Sequence, residues 1–498
     1  MKRFLAIATF ALLFGSLSLL PTYAAQTSPQ YTVTVPEQDK RLAKIEVRFS
    51  PKTDTILMYP EGANHLPDGW ATFVRGLVAK TDAGAVIPLQ YLGQARWKVS
   101  EPLPQNINLS YEILIHHDQG RWPFGHDEAA YAKRDCVFYT GASLFIGALD
   151  FEIIDVQFNV PSGWHVSTPW KEVAGKQNAF SVSGVEELIN VGMLVGKHTE
   201  RSVKIGNLEV ILAVGQDLKE SVDLFEATIK PLVPAAINLF GGLPVINGTP
   251  TGKFVVIANK DVFDGGGTFI RSISMLFKDT PDRRNSGEWG HIIAHEMLHL
   301  WNGQTIREAE QEYWFTEGFT DYLAYILETR THLISEQELF NTIARKYDEY
   351  LAVAGKTGMR RAGDEKGKNY DLVYSGGLIA ALALDIELRR KTKGAKGLSD
   401  FMQRMYREFG AGGKKYKIED VIRVANSTAD ADLAAFFKEY VEGTKVIPLE
   451  SYLAYLGLDV RRDAKKSKPQ TVIRRRAKMT ASEQAALSRL VGRPSVSN

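Results

Sequence analysis

Cysteine is almost absent from this chain of 498 residues, which holds only Cys136. A single thiol excludes an intramolecular disulfide and a zinc site built from cysteines, so any metal must take nitrogen and oxygen ligands. A large net charge is also lacking, because 60 Lys and Arg face 58 Asp and Glu, giving +2. Hydrophobic residues make up 44% and aromatic residues 10% of the chain. Together these values exclude a collagen-like, wholly disordered or multi-span membrane protein.

The N-terminus has the pattern of a targeting segment. Two basic residues at positions 2 and 3 precede an apolar run over residues 4–20, and residues 22–24 (Thr-Tyr-Ala) resemble a small-x-small cleavage site. We therefore predict a signal peptide over residues 1–24 and export to a bacterial periplasm. The alternative is an uncleaved segment that anchors the chain in the inner membrane, because the run is long for a signal peptide.

Residues 28–198 are dominated by alternation of apolar and polar side chains. Ile45, Val47 and Phe49, for example, alternate with charged residues, and the stretches 107–115 and 154–160 repeat the pattern. Period-two alternation indicates half-buried strands whose apolar faces pack together. We predict an antiparallel β-sandwich with a structural or substrate-flanking role.

The pattern changes in the second half of the chain. A hairpin with Gly206-Asn207 at its turn and a buried strand at 254–258 are followed by mostly helical sequence from Glu288 onward. We place one domain at residues 199–333 and a C-terminal α-helical domain at 334–458. The fold class expected is thus α+β and multidomain.

The last segment, residues 459–498, differs in charge from the rest. Positions 460–498 hold 11 Lys and Arg against Asp463 and Glu483, for a net +9. A basic block of this kind is typical of a solvated, poorly ordered tail. Weak attraction to an anionic surface is the functional alternative. Because the segment has no aromatic residues for base stacking, we expect no specific nucleic-acid binding.

The chemistry is concentrated in residues 291–302, which contain the pattern His-Glu-x-x-His formed by His295, Glu296 and His299. Residues i and i+4 share one face of an α-helix, so the two imidazoles suit two positions of a tetrahedral zinc site. Glu296 directly follows the first ligand and is placed to act as general base on the attacking water.

A third ligand lies further along, where Glu317 stands in a second helical pattern. Its carboxylate would complete a His₂Glu site with a fourth position open for water. Asp321 follows one turn later and is expected to accept the free N–H of a ligating histidine, His295. We therefore predict one zinc ion per chain, held by His295, His299 and Glu317.

His291 stands one turn before His295 on the same helical face. Three ligands from a single helix would strain a tetrahedral site, and a carboxylate ligand is already available. We expect His291 to support the site from the helix end.

Two blocks of sequence resemble a known family. The HExxH-x-W-N block at 295–302 and the E-G-F-T-x-Y block at 317–322 are similar to motifs of the glycyl aminopeptidase family of zinc metallopeptidases. More distantly they resemble aminopeptidase N and leukotriene A4 hydrolase. The resemblance spans Tyr31 to Leu458 and implies an N-terminal β domain, a thermolysin-like α/β catalytic domain and a helical end. The C-terminal PDZ domain of many members is not expected here.

The resemblance also implies further site residues. Members carry a Y-x-K-G block whose tyrosine stabilises the tetrahedral intermediate; Tyr374 matches it by position, with Gly376 in place of the lysine. The segment that precedes the zinc helix lacks the glutamate that binds the substrate amine in aminopeptidase relatives. Its glycines still allow close approach of a substrate strand, so we assign substrate binding to Gly265, Gly266, Gly267 and Thr268.

The leading functional hypothesis is a zinc peptidase acting on peptide substrates, with Glu296 as base, Tyr374 as oxyanion donor and aminopeptidase activity. An endopeptidase on short peptides is the alternative, because the amine-binding glutamate is missing. A non-catalytic, zinc-stabilised peptide-binding protein is a third possibility, although a purely structural zinc site would have no use for Glu296. The oligomeric state is not predicted.

Overall fold

A computed structural model describes residues 28–115, 122, 128–147, 151–410, 412–463 and 470–492. The signal peptide predicted at residues 1–24 lies outside the described residues. Within them, helices are either too short or too polar to cross a membrane.

The N-terminal region is built from three sheets. Within the described residues an eight-stranded sheet has the order β14-β15-β12-β1-β2-β8-β4-β5, and two four-stranded sheets have the orders β13-β16-β10-β9 and β11-β3-β7-β6. The strands are β1 (Gln30–Thr34), β2 (Leu42–Phe49), β3 (Thr55–Met58), β4 (Val74–Lys80), β5 (Val86–Ile87), β6 (Leu89–Gly93), β7 (Arg96–Val99), β8 (Ile107–Leu114), β9 (Tyr131–Ala132), β10 (Cys136–Thr140), β11 (Ile146–Gly147), β12 (Ile154–Asn159), β13 (His165–Ser167), β14 (Lys171–Glu172), β15 (Ala179–Val182) and β16 (Gly192–Gly196), with helix α1 (Gly184–Ile189) before β16.

The predicted N-terminal β domain is confirmed, and one strand pairing within it is parallel rather than antiparallel. β1 pairs with β12 in parallel, with Tyr31 opposite Val156, while β1 pairs with β2 in antiparallel. The alternation itself fits the structure, because Ile45, Val47 and Phe49 of β2 are all buried. Side-chain alternation is the same in both pairings, so sequence periodicity cannot distinguish them.

A five-stranded sheet of order β17-β18-β21-β23-β22 follows the three sheets of the β domain. Its strands are β17 (Thr199–Ile205), β18 (Leu208–Val214), β21 (Lys253–Lys260), β22 (Gly265–Phe269) and β23 (Ser272–Phe277), and a small hairpin joins β19 (Val245–Ile246) to β20 (Thr249–Pro250). β17 and β18 form the predicted hairpin. β22 is antiparallel to β23 and forms one edge of the sheet.

Helices cover this sheet and continue to the C-terminal part of the chain. They are α2 (Val222–Phe240), α3 (Ser286–Leu298), α4 (Tyr313–Arg330), α5 (Glu336–Val353), α6 (Met359–Ala362), α7 (Gly377–Lys391), α8 (Leu398–Met405), α9 (Ile418–Ala429), α10 (Ala434–Phe437) and α11 (Leu449–Leu453). Short 3₁₀ segments occur at Gly69–Phe73, Gly141–Ser143, Gln216–Ser221, Gly363–Glu365 and Ala454–Leu456, and π-helical turns at Leu372–Gly376, Tyr406–Gly410 and Lys438–Glu442. A strand-rich N-terminal part followed by a mainly helical part confirms the predicted α+β fold class.

The buried side chains divide into cores that show how the regions are joined. One core fills the N-terminal β domain, and another runs without a break from Val203 in β17 to Val491. The predicted boundary at residues 333 and 334 therefore falls inside a continuous core. A smaller cluster that includes Phe138, Leu194 and Val255 lies between the β domain and the five-stranded sheet.

The segment predicted as a poorly ordered basic tail is structured over most of its length, so that prediction is wrong. β24 (Leu458–Asp463) pairs with β25 (Gln470–Arg475), and α12 (Ala481–Val491) follows. Ile473 and Leu490 are buried, and Arg475 pairs with Glu336 of α5. Acidic side chains elsewhere in the chain pair with basic residues of this segment. A charge count of the segment alone does not include those partners.

Candidate active site

Helix α3 presents two histidines toward one point. His295 lies in its last turn and His299 is the residue at which the helix ends. Ile293, Met297 and Leu298 are fully buried, so the helix cannot rotate about its axis without exposing them. The Nε2 atoms of His295 and His299 are 3.0 Å apart. The spacing of the sequence pattern thus produces one convergent pair of imidazoles.

Helix α4 adds the carboxylate. Glu317 Oε2 lies 3.4 Å from Nε2 of His295 and 3.4 Å from Nε2 of His299. The position of α4 is set by a very close approach to α7, because a Cβ on Gly318 would lie 2.4 Å from Cα of Gly377. The structure thus brings together the three residues predicted as metal ligands.

This donor set fits zinc. Zinc bonds to histidine nitrogen and carboxylate oxygen measure about 2.0–2.2 Å, so tetrahedral geometry separates ligand atoms by roughly 3.3–3.6 Å. The three separations here are 3.0, 3.4 and 3.4 Å. Two neutral nitrogens and one carboxylate oxygen are also the ligand types of catalytic zinc sites, which keep one position for water.

The charges around the three ligands are arranged for a cation. Burial acts to raise the pKa of Glu317, but hydrogen bonds from His295 and His299 hold it well below its usual value. Burial opposes the charged form of His295, yet Asp321 and Glu317 raise its pKa to about 10. A bound dication would replace the proton that these carboxylates otherwise attract to the imidazole.

In His295 and His299, the ring nitrogen that points away from the cluster contacts an oxygen atom. His295 Nδ1 lies 3.1 Å from Oδ1 of Asp321, as predicted for that aspartate, and His299 Nδ1 lies 3.0 Å from the carbonyl oxygen of Asn302. These partners leave Nε2 of both rings for a metal and fix the ring orientation. The contribution of Asn302 was not predicted, because backbone carbonyls carry no sequence signal.

His291 lies outside the three-ligand cluster, as expected. Its Nε2 is 2.9 Å from Oδ1 of Asp321 and its Nδ1 is 2.8 Å from Oε1 of Glu328. Lys346 Nζ approaches the other oxygen of Asp321 at 3.1 Å. Burial would raise the pKa of Asp321, but His291, His295 and Lys346 hold it well below its usual value. The network keeps Asp321 charged and oriented toward His295.

Glu296 faces the edge strand β22. Thr268 Oγ1 donates a hydrogen bond of 2.7 Å to Oε2 of Glu296 and approaches the Glu296 carbonyl oxygen at 3.0 Å. A Cβ on Gly266 would lie 2.5 Å from Cγ of Glu296, so only glycine leaves room for this carboxylate. The structure therefore gives Thr268 and Gly266, predicted as substrate-binding residues, a direct contact with the predicted base.

Tyr374 lies in the π-helical turn at Leu372–Gly376. Its ring is stacked on Tyr370 at a centroid distance of 4.1 Å and lies 6.2 Å from the ring of His295. Burial raises the pKa of Tyr374, and the nearby carboxylate of Glu317 raises it further. The phenol is therefore a neutral hydrogen-bond donor beside the three-ligand cluster.

The sequence analysis did not identify two further charged residues at the site. Lys366 Nζ donates a 2.7 Å hydrogen bond to Oε1 of Glu317 and lies 5.5 Å from the ring centroid of Tyr374. Lys366 therefore places an ammonium group beside both the three-ligand cluster and Tyr374.

The second missed residue is Glu128 of the β domain. Glu128 is exposed, yet neighbouring protein atoms raise its pKa by partial loss of hydration; Lys366 lowers it, and the carboxylates of Glu296 and Glu317 raise it further. This carboxylate therefore shares the electrostatic environment of the three-ligand cluster, although it comes from the β domain. No local pattern around Glu128 in the sequence indicates a functional role.

Sequence comparison identifies matches in two parts of the chain. The profile of the Peptidase M61 N-terminal domain matches residues 30–197, and the profile of the M61 glycyl aminopeptidase matches residues 289–364. The second range contains every residue of the three-ligand cluster together with Glu296 and Asp321.

Solved structures share the fold. An aminopeptidase N family protein from Idiomarina loihiensis has a TM-score of 0.75 at 17% identity, covering 87% of this chain and 79% of its own. An M1 zinc metallopeptidase from Deinococcus radiodurans has a TM-score of 0.57 at 16% identity, covering 85% and 95%. A mutant of the Deinococcus enzyme bound to a Tyr-Ser-Ala substrate has a TM-score of 0.56 at 14% identity, again covering 85% and 95%.

The M61 profile, which matches the part of the chain that holds the three-ligand cluster, identifies the chain as a metallopeptidase, and the solved structures share its fold. The resemblance to the glycyl aminopeptidase family, first found in the two sequence blocks, is confirmed by both profile matches.

Proposed function

We propose that this peptidase is an aminopeptidase in which Glu296 is the general base. The mechanism rests on one observation: the residues suited to bind the metal are different from the residue suited to accept a proton. His295, His299 and Glu317 converge on one point, whereas Glu296 is directed to the edge strand by Thr268. A zinc ion held by those three residues would polarise the scissile carbonyl and make water a nucleophile at neutral pH.

The protein groups then move and stabilise charge. Glu296 takes the proton of the attacking water and delivers it to the leaving amine, as one carboxylate can do in both half-steps. Tyr374 donates a hydrogen bond to the developing oxyanion, which its raised pKa allows because the phenol keeps its proton. Lys366, hydrogen-bonded to Glu317, limits the negative charge around that oxyanion.

The edge strand β22 is the proposed docking site for the substrate backbone. Its outer side has no partner strand among the residues that the structure describes, and Gly265, Gly266 and Gly267 carry no side chain to obstruct an added strand. A peptide that pairs with this edge lies beside Glu296. Peptides in an extended conformation are therefore the proposed substrates.

Glu128 supports an aminopeptidase over an endopeptidase. The glutamate of the glycine-rich segment is missing, but Glu128 brings a carboxylate to the same cleft from the β domain. Its interactions with Glu296 and Glu317 create a negative potential that favours a substrate ammonium group. A peptide whose first residue carries that ammonium would be held with its first bond at the metal centre.

The test is a digest of a peptide library with free or acetylated N-termini. We expect cleavage of acetylated peptides to fall by about fivefold, because one charge pair with the exposed Glu128 contributes up to about 1 kcal/mol. Glu128→Gln should remove most of this preference, whereas Glu46→Gln, on an exposed face of β2, should keep it. Equal cleavage of both libraries by the unmodified protein would show an endopeptidase.

We also propose export after removal of residues 1–24. The support is the basic start, the apolar run and the small-residue site in the sequence. Mass spectrometry of the protein isolated from its native host would give a mature N-terminus at residue 25. A mass that includes residues 1–24, found in a membrane fraction, would indicate an uncleaved anchor instead.

A further inference from the structure

A second cluster of metal-binding side chains lies away from the active site. His165, His198 and Glu200 each offer one ligand atom, and these atoms lie within 4.8 Å of one another. None of the three belongs to the catalytic cluster of His295, His299 and Glu317 or contacts it through a described hydrogen bond. The mechanism proposed above therefore leaves this cluster without a role.

Strand pairing brings the three residues together. His165 begins β13 and is the partner of Gly196 at the end of β16. His198 follows β16 after one intervening residue, and Glu200 lies in β17, the first strand of the five-stranded sheet. The cluster therefore joins the last strands of the β domain to the catalytic sheet.

His198 is buried and His165 is half-buried, and both imidazoles are incompletely partnered. His198 is 5% exposed, and its ring centroid lies 4.0 Å from that of His165. Within the part of the chain that the structure describes, His198 Nδ1 and His165 Nε2 make no hydrogen bond. Buried polar atoms are normally satisfied, so two neighbouring ring nitrogens without partners indicate a missing group.

The third side chain of the cluster is a carboxylate. The adjacent Glu200 is exposed and supplies a carboxylate at the open side of the cluster.

A hydrolytic Ser-His-Glu triad does not fit these contacts. Ser167 Oγ lies 2.6 Å from Nε2 of His198, but it donates its proton to Glu200. In a triad the carboxylate orients the histidine instead, through the other ring nitrogen. The serine hydroxyl here holds the glutamate beside the two imidazoles.

We propose that His165, His198 and Glu200 form a second site for a divalent transition metal of the zinc type. Two imidazoles and one carboxylate are ligands that zinc accepts, and water or the Ser167 hydroxyl would complete four-coordination. Because the ligands come from β13, from the connection after β16 and from the start of β17, the ion would fasten the β domain to the catalytic sheet.

The test is a titration of the metal-free full chain with Zn²⁺ alone, followed by metal analysis after removal of unbound ion. We expect two ions per wild-type chain and one in His299→Ala, in which the catalytic cluster is broken. Glu200→Gln should also bind one ion, at the catalytic cluster. The variant that combines His299→Ala with Glu200→Gln should bind none. His332→Asn removes an exposed histidine outside both clusters and should keep two.

Thermal unfolding provides an independent readout. In His299→Ala, Zn²⁺ at about 100 times its dissociation constant should raise the Tm by about 3 °C, because only the folded state has the second site. The added Glu200→Gln change should abolish that shift. Glu200 is exposed, and its glutamine variant can still accept the hydrogen bond from Ser167, so folding is preserved. One ion per wild-type chain, or two ions in Glu200→Gln, would overturn the proposal.

Discussion

The contact between Gly266 and Glu296 allows a substitution to move the catalytic base without touching the metal ligands. A Cβ on residue 266 would lie 2.5 Å from Cγ and 2.8 Å from Cδ of Glu296, whereas ordinary contact begins near 3.4 Å. Gly266→Ala must therefore displace this side chain or the strand by roughly 1 Å. Because the end of a flexible side chain can yield, we expect the variant to fold.

The expected loss is catalytic. A displacement of about 1 Å of a catalytic group can cost about 100-fold in rate, equivalent to ~2.7 kcal/mol of transition-state stabilisation. We predict that kcat/KM for peptide hydrolysis falls by about that factor in Gly266→Ala while zinc content stays at the wild-type value. Steady-state hydrolysis and metal analysis on the same preparation would measure both.

Gly252→Ala is the matched control. A Cβ at this exposed position meets no heavy atom within 4 Å, so activity should not change. Wild-type activity in a folded Gly266→Ala protein would refute the assignment of Glu296 as base at this strand. Loss of zinc in that variant would show instead that β22 supports the ligands.

Three further substitutions test the supports of the site. Thr268→Val removes the 2.7 Å hydrogen bond to Glu296, so kcat should fall about tenfold, with Thr268→Ser retaining activity; unchanged kcat would contradict that role. Asp321→Asn should weaken zinc binding about 10–100-fold in a chelator competition, because it loosens His295; wild-type affinity would show that Asp321 is dispensable. Gly318→Ala forces α4 away from α7 and should lower the free energy of unfolding, measured in urea, by about 3 kcal/mol. A decrease below about 0.5 kcal/mol would contradict the close packing of the two helices.

The cluster of candidate metal ligands could be predicted from sequence because two of its members follow helical geometry. His295 and His299 are one turn apart on any α-helix, and Asp321 follows Glu317 in the same way. The approach of α3 to α4, which brings Glu317 within 3.4 Å of both imidazoles, is a tertiary contact. That contact was inferred from the chemistry of the ligand set.

Residues brought in from distant parts of the chain could not be predicted. Glu128 reaches the cleft from the β domain, and Lys366 reaches Glu317 from a connection before the π-helical turn. The sequence around each of these residues does not distinguish it from an ordinary charged residue on the protein surface. The C-terminal segment shows the same limit, since Arg475 is balanced by Glu336, which lies far away in sequence.

The central claim, that a zinc peptidase uses Glu296 to activate water, is tested most directly by Glu296→Gln. The amide keeps the size of the side chain but cannot accept the proton, and removing a general base costs about 10²–10⁴-fold in rate. We predict zinc content equal to that of the wild-type chain and peptide hydrolysis reduced by that factor. Hydrolysis at the wild-type rate in a zinc-loaded Glu296→Gln protein would contradict the account.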